Sequence, residues 1–424
     1  MKKIILAPLA AIAISLVGCG NSGTDYTDNT KLKIRFHVNA DTPEGMAYSQ
    51  LIADFNRENK DGIKVTATFI ARSAGDTTYD LELQRDKKNG TLPDIITFDA
   101  PKCSEYASYD YFYDLTDHFT AQEKESFMSL NTYKGRLYGL PIQESSAGIY
   151  YNKNYFNQAG IDVSGYTVDN PWTYDQFKDA CAKIASSLPG ITPAVMRYKD
   201  NNSEMATYLL YPFIYASGGG FVDETGKNCL GIFNSEASKR GYQFLKDLLN
   251  AGYTNYNVEE QTFYKGEAAM LLSSGWTIPL MKEYPTTFPD RNSWGLLPYP
   301  KDVTRASANG SWSFAIGNNP RKDKTNVVKL LKYLTNANAS TKITNATGMI
   351  PANKEAQQTY PAGSPEAVLM EQLQQTSMAR PSTVGYRQFS DAFRMVISGL
   401  LNEEVSSLVD NKANVLQSEL NKIK

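Results

Sequence analysis

The chain has 424 residues, 42% hydrophobic, 12% aromatic and 21% charged, which exceeds one simple core and predicts two lobes of ordinary size. A formal net charge of −2 excludes the broad basic field that nucleic acid or acidic lipid would select, so no nucleic-acid partner is expected. The 27 tyrosines suit a wet, amphipathic binding surface as well as a core.

In chain order, Lys2 and Lys3 precede an apolar run from Ile4 to Val17, too short for a transmembrane span. It closes on Leu16-Val17-Gly18-Cys19, which resembles the lipobox of bacterial lipoproteins. That resemblance implies a signal peptide over 1–19 and a lipidated Cys19 as the first mature residue. Residues 20–30 are polar and rich in Gly, Asn and Thr, as a flexible tether should be. The protein is therefore expected outside the cytoplasmic membrane, anchored to it by acyl chains.

Leu32, Ile34, Phe36 and Val38 alternate as a strand. Thr42-Pro43 opens a helix with Ala47, Leu51, Ile52 and Phe55 on one face. Ile63 to Phe69 and the DIITF stretch after Pro93 read as further strands, so βαβ units and a largely parallel sheet are expected. A second series begins near 146 with the strand AGIYYN, then a capping box of Thr173 with Gln176 ahead of Phe177, Ala180, Cys181 and Ile184. Residues 235–250 form an amphipathic helix stopped by Gly252; AAMLL, WGLLPYP and SWSFAIG read as strands. From about 322 the chain turns helical. Cys103, Cys181 and Cys229 are an odd set from which no disulfide can be chosen.

Eight stretches in order resemble one family, the extracellular solute-binding proteins of bacterial ABC importers, of the sugar-binding, maltose-binding-protein-like type (family 1). They are LPDIITFD (92–99), GRLYGLPIQESSAGIYYNKNYFNQAGI (135–161), PWTYDQF (171–177), ASGGGFVD (216–223), FYKGEAAMLLSSGW (263–276), WGLLPYP (294–300), GMIPA (348–352) and ARPSTVGY (379–386). The resemblance implies an α/β, two-lobed periplasmic-binding-protein-like fold with class II-type crossovers and a ligand cleft between the lobes. Lobe 1 would hold 31–142 and 300–345, and lobe 2 would hold 146–295 and 350–424. Crossovers would fall near 143–145, 297–300 and 345–350. The cleft location also follows from the sheet type, because ligands of open α/β sheets bind beyond the carboxyl ends of the strands. Further implications are a carbohydrate ligand, permease and ATPase partners, no cofactor, no metal, no enzymatic activity and a monomeric chain.

Trp276 ends GEAAMLLSSGW, where an indole offers a flat floor to the C–H face of a sugar. Trp312 shares its strand face with Phe314 and Ile316, which favours the core, yet its place at the strand start also allows a cleft contact. Trp172 and Trp294 read as structural. The resemblance adds Tyr386 and Arg380 from the ARPSTVGY stretch, and Tyr208 and Tyr211, for which packing on a helix face is the alternative. Asp99 follows the buried DIITF strand and can accept sugar hydroxyls. Glu44 and Arg72 follow the first and second strands, while Gln143, Glu144 and Ser145 occupy a crossover.

Other readings keep the fold but change the solute to a peptide, polyamine or iron complex, or make the protein a surface glycan-binding or glycan-cleaving lipoprotein. The only histidines are His37, expected in solvent on the face of Lys33 and Arg35, and His118 in a loop. Neither belongs to an H-E-x-x-H motif or lies near a G-x-S-x-G.

Overall fold

Alternation along Lys31–His37 builds β1, with Leu32, Ile34 and Phe36 buried. The structure, a computed structural model, describes residues 26–72, 75–199 and 203–423; Cys19, the expected signal peptide and residues 20–25 of the expected tether lie outside these. The remaining strands are β2 (Lys64–Ile70), β3 (Ile95–Asp99), β4 (Asn131–Tyr133), β5 (Arg136–Ser145), β6 (Ala147–Asn152), β7 (Thr192–Val195), β8 (Ala268–Ser274), β9 (Trp294–Leu297), β10 (Ser307–Ile316), β11 (Ile350–Pro351) and β12 (Ser377–Ala379).

They form two sheets. The larger runs β11-β5-β10-β3-β1-β2, with β12 on β10 and β4 on β5; the smaller runs β7-β8-β6-β9. The largely parallel sheet expected from sequence is found only in part: β2-β1-β3, the short β12 on β10, and β7 on β8 are parallel, and the other pairings are antiparallel. β10 is antiparallel to β3 and β5, because it enters the larger sheet from the opposite side after the chain has visited the smaller one. β6 likewise runs against both β8 and β9.

Each sheet has its own core. Leu32, Ile34 and Phe36 pack with Leu51 and Phe55 of helix Pro43–Glu58 and with Val327 and Leu331 of helix Thr325–Leu334. Around the smaller sheet, Phe177, Cys181 and Ile184 of helix Tyr174–Ser187 pack with Phe244, Leu245, Phe389 and Phe393. Local signals set the helix starts. Thr42 accepts from the Gly45 amide with Pro43 in the first turn, and the Thr173–Gln176 capping box is complete in both directions.

The chain passes between sheets through Ser146 and again between β9 and β10. The third passage lies later than the expected 345–350. β11 still pairs with β5, and the next helix, Pro365–Gln375, buries Val368 and Leu369 with Tyr150 and Val195 of the smaller sheet. Helix Ala337–Thr347 ends at Gly348, whose φ of +70° suits glycine. There the main chain of lobe 1 touches that of lobe 2. A methyl group on Gly275 would lie 2.2 Å from the Gly348 carbonyl oxygen, and one on Gly348 would lie 2.3 Å from that of Gly275.

His37 departs from expectation. It is 3% exposed, stacked on Tyr79 at 4.3 Å and edge-on to Trp312 at 5.4 Å. The cause is helix Asp76–Asn89, which covers this face of β1 and also supplies the Asp86 partner of Arg35. Residues 26–30 of the expected tether are fastened to lobe 1. The Tyr26 hydroxyl donates to the Leu92 carbonyl at 2.7 Å, and Arg321 donates to the Asp28 carbonyl at 2.8 Å. Cys103, Cys181 and Cys229 are buried free thiols. Among the described residues no helix is long and apolar enough to cross a membrane, and no group of three potential metal ligands occurs.

Candidate functional site

A cleft of about 580 Å³ opens between the two sheets and takes side chains from both. The lobe 1 wall starts at the carboxyl ends of its strands. Asn39 follows β1, Arg72 follows β2 and Asp99 ends β3. This is where strand polarity leaves backbone ends and side chains facing a crevice. Trp312 lies on the face shared with Phe314 and Ile316, at the point where the core gives way to the cleft. The Arg72 guanidinium lies 4.2 Å from the Trp312 ring centroid and is held bidentately by Glu44 at 2.7 and 3.0 Å.

The lobe 2 wall is built around Trp276. β8 buries every residue from Ala268 to Ser274, and Gly275 turns the chain where its backbone meets Gly348. The indole then emerges half-buried, with Nε1 donating to Glu260 at 3.4 Å and the ring tilted against Tyr208 at 6.1 Å. Burial pushes the Glu260 carboxyl up, opposed by Arg197 and the Trp276 indole. Tyr208 donates to Ser145 at 2.8 Å, and Ser145 donates to the Gly310 carbonyl at 2.7 Å. Only glycine fits at 310, since a methyl there would lie 2.7 Å from the Tyr208 ring.

One side of the cleft is closed by a bridge between lobes. Arg380 donates to Asp99 of lobe 1 at 2.7 Å, and to Tyr386 at 2.9 Å and Glu204 at 3.5 Å in lobe 2. Burial pushes the Glu204 carboxyl up, but Arg380, Lys102 and the hydroxyls of Tyr386 and Ser390 outweigh it and hold it below the usual range.

The family model described as "Bacterial extracellular solute-binding protein" matches residues 50–371, most of the chain. The chain belongs to the bacterial extracellular solute-binding proteins. This solute-binding protein is 25% identical over 284 residues to a putative binding protein of Brucella abortus, covering 65% of the chain and 66% of that relative, just under two thirds of its length. It is 23% identical over 368 residues to the sn-glycerol-3-phosphate-binding periplasmic protein UgpB of Shigella flexneri, covering 82% of the chain and 79% of the relative. The GacH receptor of Streptomyces glaucescens, described unliganded and with acarbose, shares the two-lobed fold. Its TM-score is 0.76 at 20% identity, covering 93% of this chain and 99% of the other.

Of the residues singled out from sequence, the solute-binding protein brings Trp276, Asp99, Arg380, Trp312, Glu44, Arg72, Gln143, Ser145 and Tyr208 to the cleft. Three stand behind it. Tyr386 is fully buried, supporting Arg380 and donating to Glu204 at 2.6 Å. Tyr211 points its hydroxyl at the Asn309 backbone, accepting from the amide at 2.9 Å. Glu144 is buried against Ser129. The sequence reading missed Glu204, Glu260, Arg197, Met349 and Gly310. An acid directly before the apolar helix Met205–Ala216 was a usable sign for Glu204, since acids collect at helix starts. Trp172 and Trp294 are buried, as expected of structural residues.

Proposed function

We propose that this chain is a lipid-anchored, extracytoplasmic binding protein that captures a carbohydrate by closing its lobes and delivers it to an ABC permease. The observation that carries the reading is one cleft with an indole from each lobe, Trp276 and Trp312, set among carboxylates, amides and hydroxyls. Aromatic faces match the C–H faces of a sugar, and the polar rim matches its hydroxyls. A volume of about 580 Å³ falls in the range of small-molecule sites. The GacH receptor, described with acarbose, supports a sugar, while UgpB of Mycobacterium tuberculosis, described with glycerophosphocholine, marks the competing solute class on the same fold.

Closure is favoured only by contacts the solute makes with both lobes at once. Turning a mostly open population into a mostly closed one needs about 5.5 kcal/mol of differential affinity. Micromolar binding supplies about 8 kcal/mol in total. Anchoring rests on Cys19, and metabolic labelling with a fatty acid, lost in Cys19→Ala, tests it. Thermal unfolding against a panel of mono- and oligosaccharides tests the solute. A true ligand at a hundred times its Kd stabilises by about 2.7 kcal/mol. A flat response to every sugar refutes the carbohydrate reading, and release of cleavage products refutes the binding-only reading.

A further inference from the structure

We propose that this cleft is built to refuse phosphorylated solutes, and that Glu44, Asp99 and Glu204 are the residues that set this specificity. The inference rests on the cleft being the solute site and goes on to divide neutral polyhydroxylated solutes from glycerol or sugar phosphates.

The cations of the cleft are already engaged. Arg72 is bidentate on Glu44, and Arg380 lies between Asp99 at 2.7 Å and Glu204 at 3.5 Å. Arg197 has Glu259 and Glu260 at 3.8 and 3.7 Å. Among the described lining residues, three arginines face five carboxylates, and no lysine or histidine joins them. With its carboxylates ionised the lining carries more negative than positive charge, and a phosphate monoester bringing about two more negative charges enters against it.

The helix ends are engaged as well. A helix N-terminus is the ordinary backbone site for phosphate. Helix Pro43–Glu58 starts at the cleft with Glu44 in its first turn, and helix Met205–Ala216 starts there with Glu204 at its N-cap. Each helix start thus carries a carboxylate, Glu44 held by Arg72 and Glu204 held by Arg380, Tyr386 and Ser390, and its negative charge offsets the attraction of the helix end for an anion. The Arg380 side chain is 3% exposed and its two terminal nitrogens are taken by Asp99, Tyr386 and Glu204, so a phosphate that reaches them displaces a carboxylate or hydroxyl already in place. A neutral sugar meets no such barrier, since carboxylates accept hydroxyl donors without any charge on the solute.

Isothermal titration of the purified protein with maltotriose, glucose 6-phosphate and sn-glycerol 3-phosphate tests this. Expected are no detectable binding of either phosphate to the wild type and, in Glu44→Gln and in the double variant Asp99→Asn, Glu204→Gln, measurable phosphate binding with a Kd about tenfold or more below the limit set by the wild-type titration. Tight phosphate binding by the wild type overturns the proposal, as does the absence of any gain in variants that keep a cooperative thermal transition. If the double variant does not fold, Glu44→Gln decides alone, because its Arg72 partner is part-exposed. Phosphate gain without maltotriose binding supports the proposal and counts against maltotriose as the sugar; wild-type phosphate binding leaves the solute-binding assignment standing and removes the specificity.

Discussion

Strand β3 carries a buried guanidinium–carboxylate couple at each end, and the two differ in how completely they are satisfied. Asp94, just before the strand, meets Arg321 with side chains 0% and 1% exposed. Arg321 also donates to the backbone carbonyls of Tyr26, Asp28 and Lys31, and Asp94 accepts from Asn319 and the Lys33 amide. At the carboxyl end, Asp99 meets Arg380 at the cleft, and the Arg380 Nε is buried without an acceptor. The same chemistry is thus a closed structural joint at one end of a strand and an incompletely bonded one at the other. The saturated couple fixes the fold, whereas the spare donor of Arg380 lies beside the cleft.

The contrast can be broken most forcefully at Arg321. Arg321→Gln is expected to destabilise the protein by about 3–5 kcal/mol in urea unfolding, because it strands a buried carboxylate. Arg380→Gln should lower stability less, by about 1–3 kcal/mol, while weakening solute binding. Equal stability losses would erase the distinction between the two ends. Trp276→Ala should cost about 2 kcal/mol of binding or more, roughly thirtyfold in Kd by titration, beyond a modest loss of stability in the free protein from the indole's contacts with Tyr208 and Glu260. Gly310→Ala presses a methyl into the Tyr208 ring and should cost about 1–3 kcal/mol of stability by thermal unfolding.

The smallest expected effect is one of pH. Burial, helped by Arg72 and Lys102, drives the His37 imidazole down to about 2 from its ordinary 6.5. The unfolded chain then binds the extra proton, and stability falls as pH drops below about 6.5. Burial pushes the Glu144 carboxyl up to about 7 against the Ser129 hydrogen bond, so stability falls as pH rises from about 4.5 to 7. The two slopes oppose each other between about 4.5 and 6.5. Glu144→Gln removes one of them, and urea titrations should then show about 1–2 kcal/mol lost between pH 6.5 and pH 5. A wild-type-like flat profile in that variant would count against a neutral, buried His37.

Much of this molecule was legible as a sequence because its signals are local. Alternation gave β1 and β10, capping chemistry gave the start of helix Tyr174–Ser187, and the glycine turn before Trp276 marked an aromatic at the cleft. What escaped depends on neighbours distant in sequence. His37 reads as a solvated strand residue until helix Asp76–Asn89 is laid over it. Tyr208 and Tyr211 share one side of a helix, yet β10 lets one reach the cleft and covers the other. Glu260 enters the cleft because its helix packs on β7 and β8, and nothing in its own segment announces that. The antiparallel entry of β10 into the larger sheet was not legible, because strand order in sequence does not record which lobe the chain has just left.

An interface of interlocked side chains can re-form at several offsets by changing rotamers, but peptide resting on peptide has a single spacing. Gly275 and Gly348 supply such bare contact between the lobes. They let the two halves approach more closely at this point than any side chain would allow, and a methyl group on either glycine would force them apart.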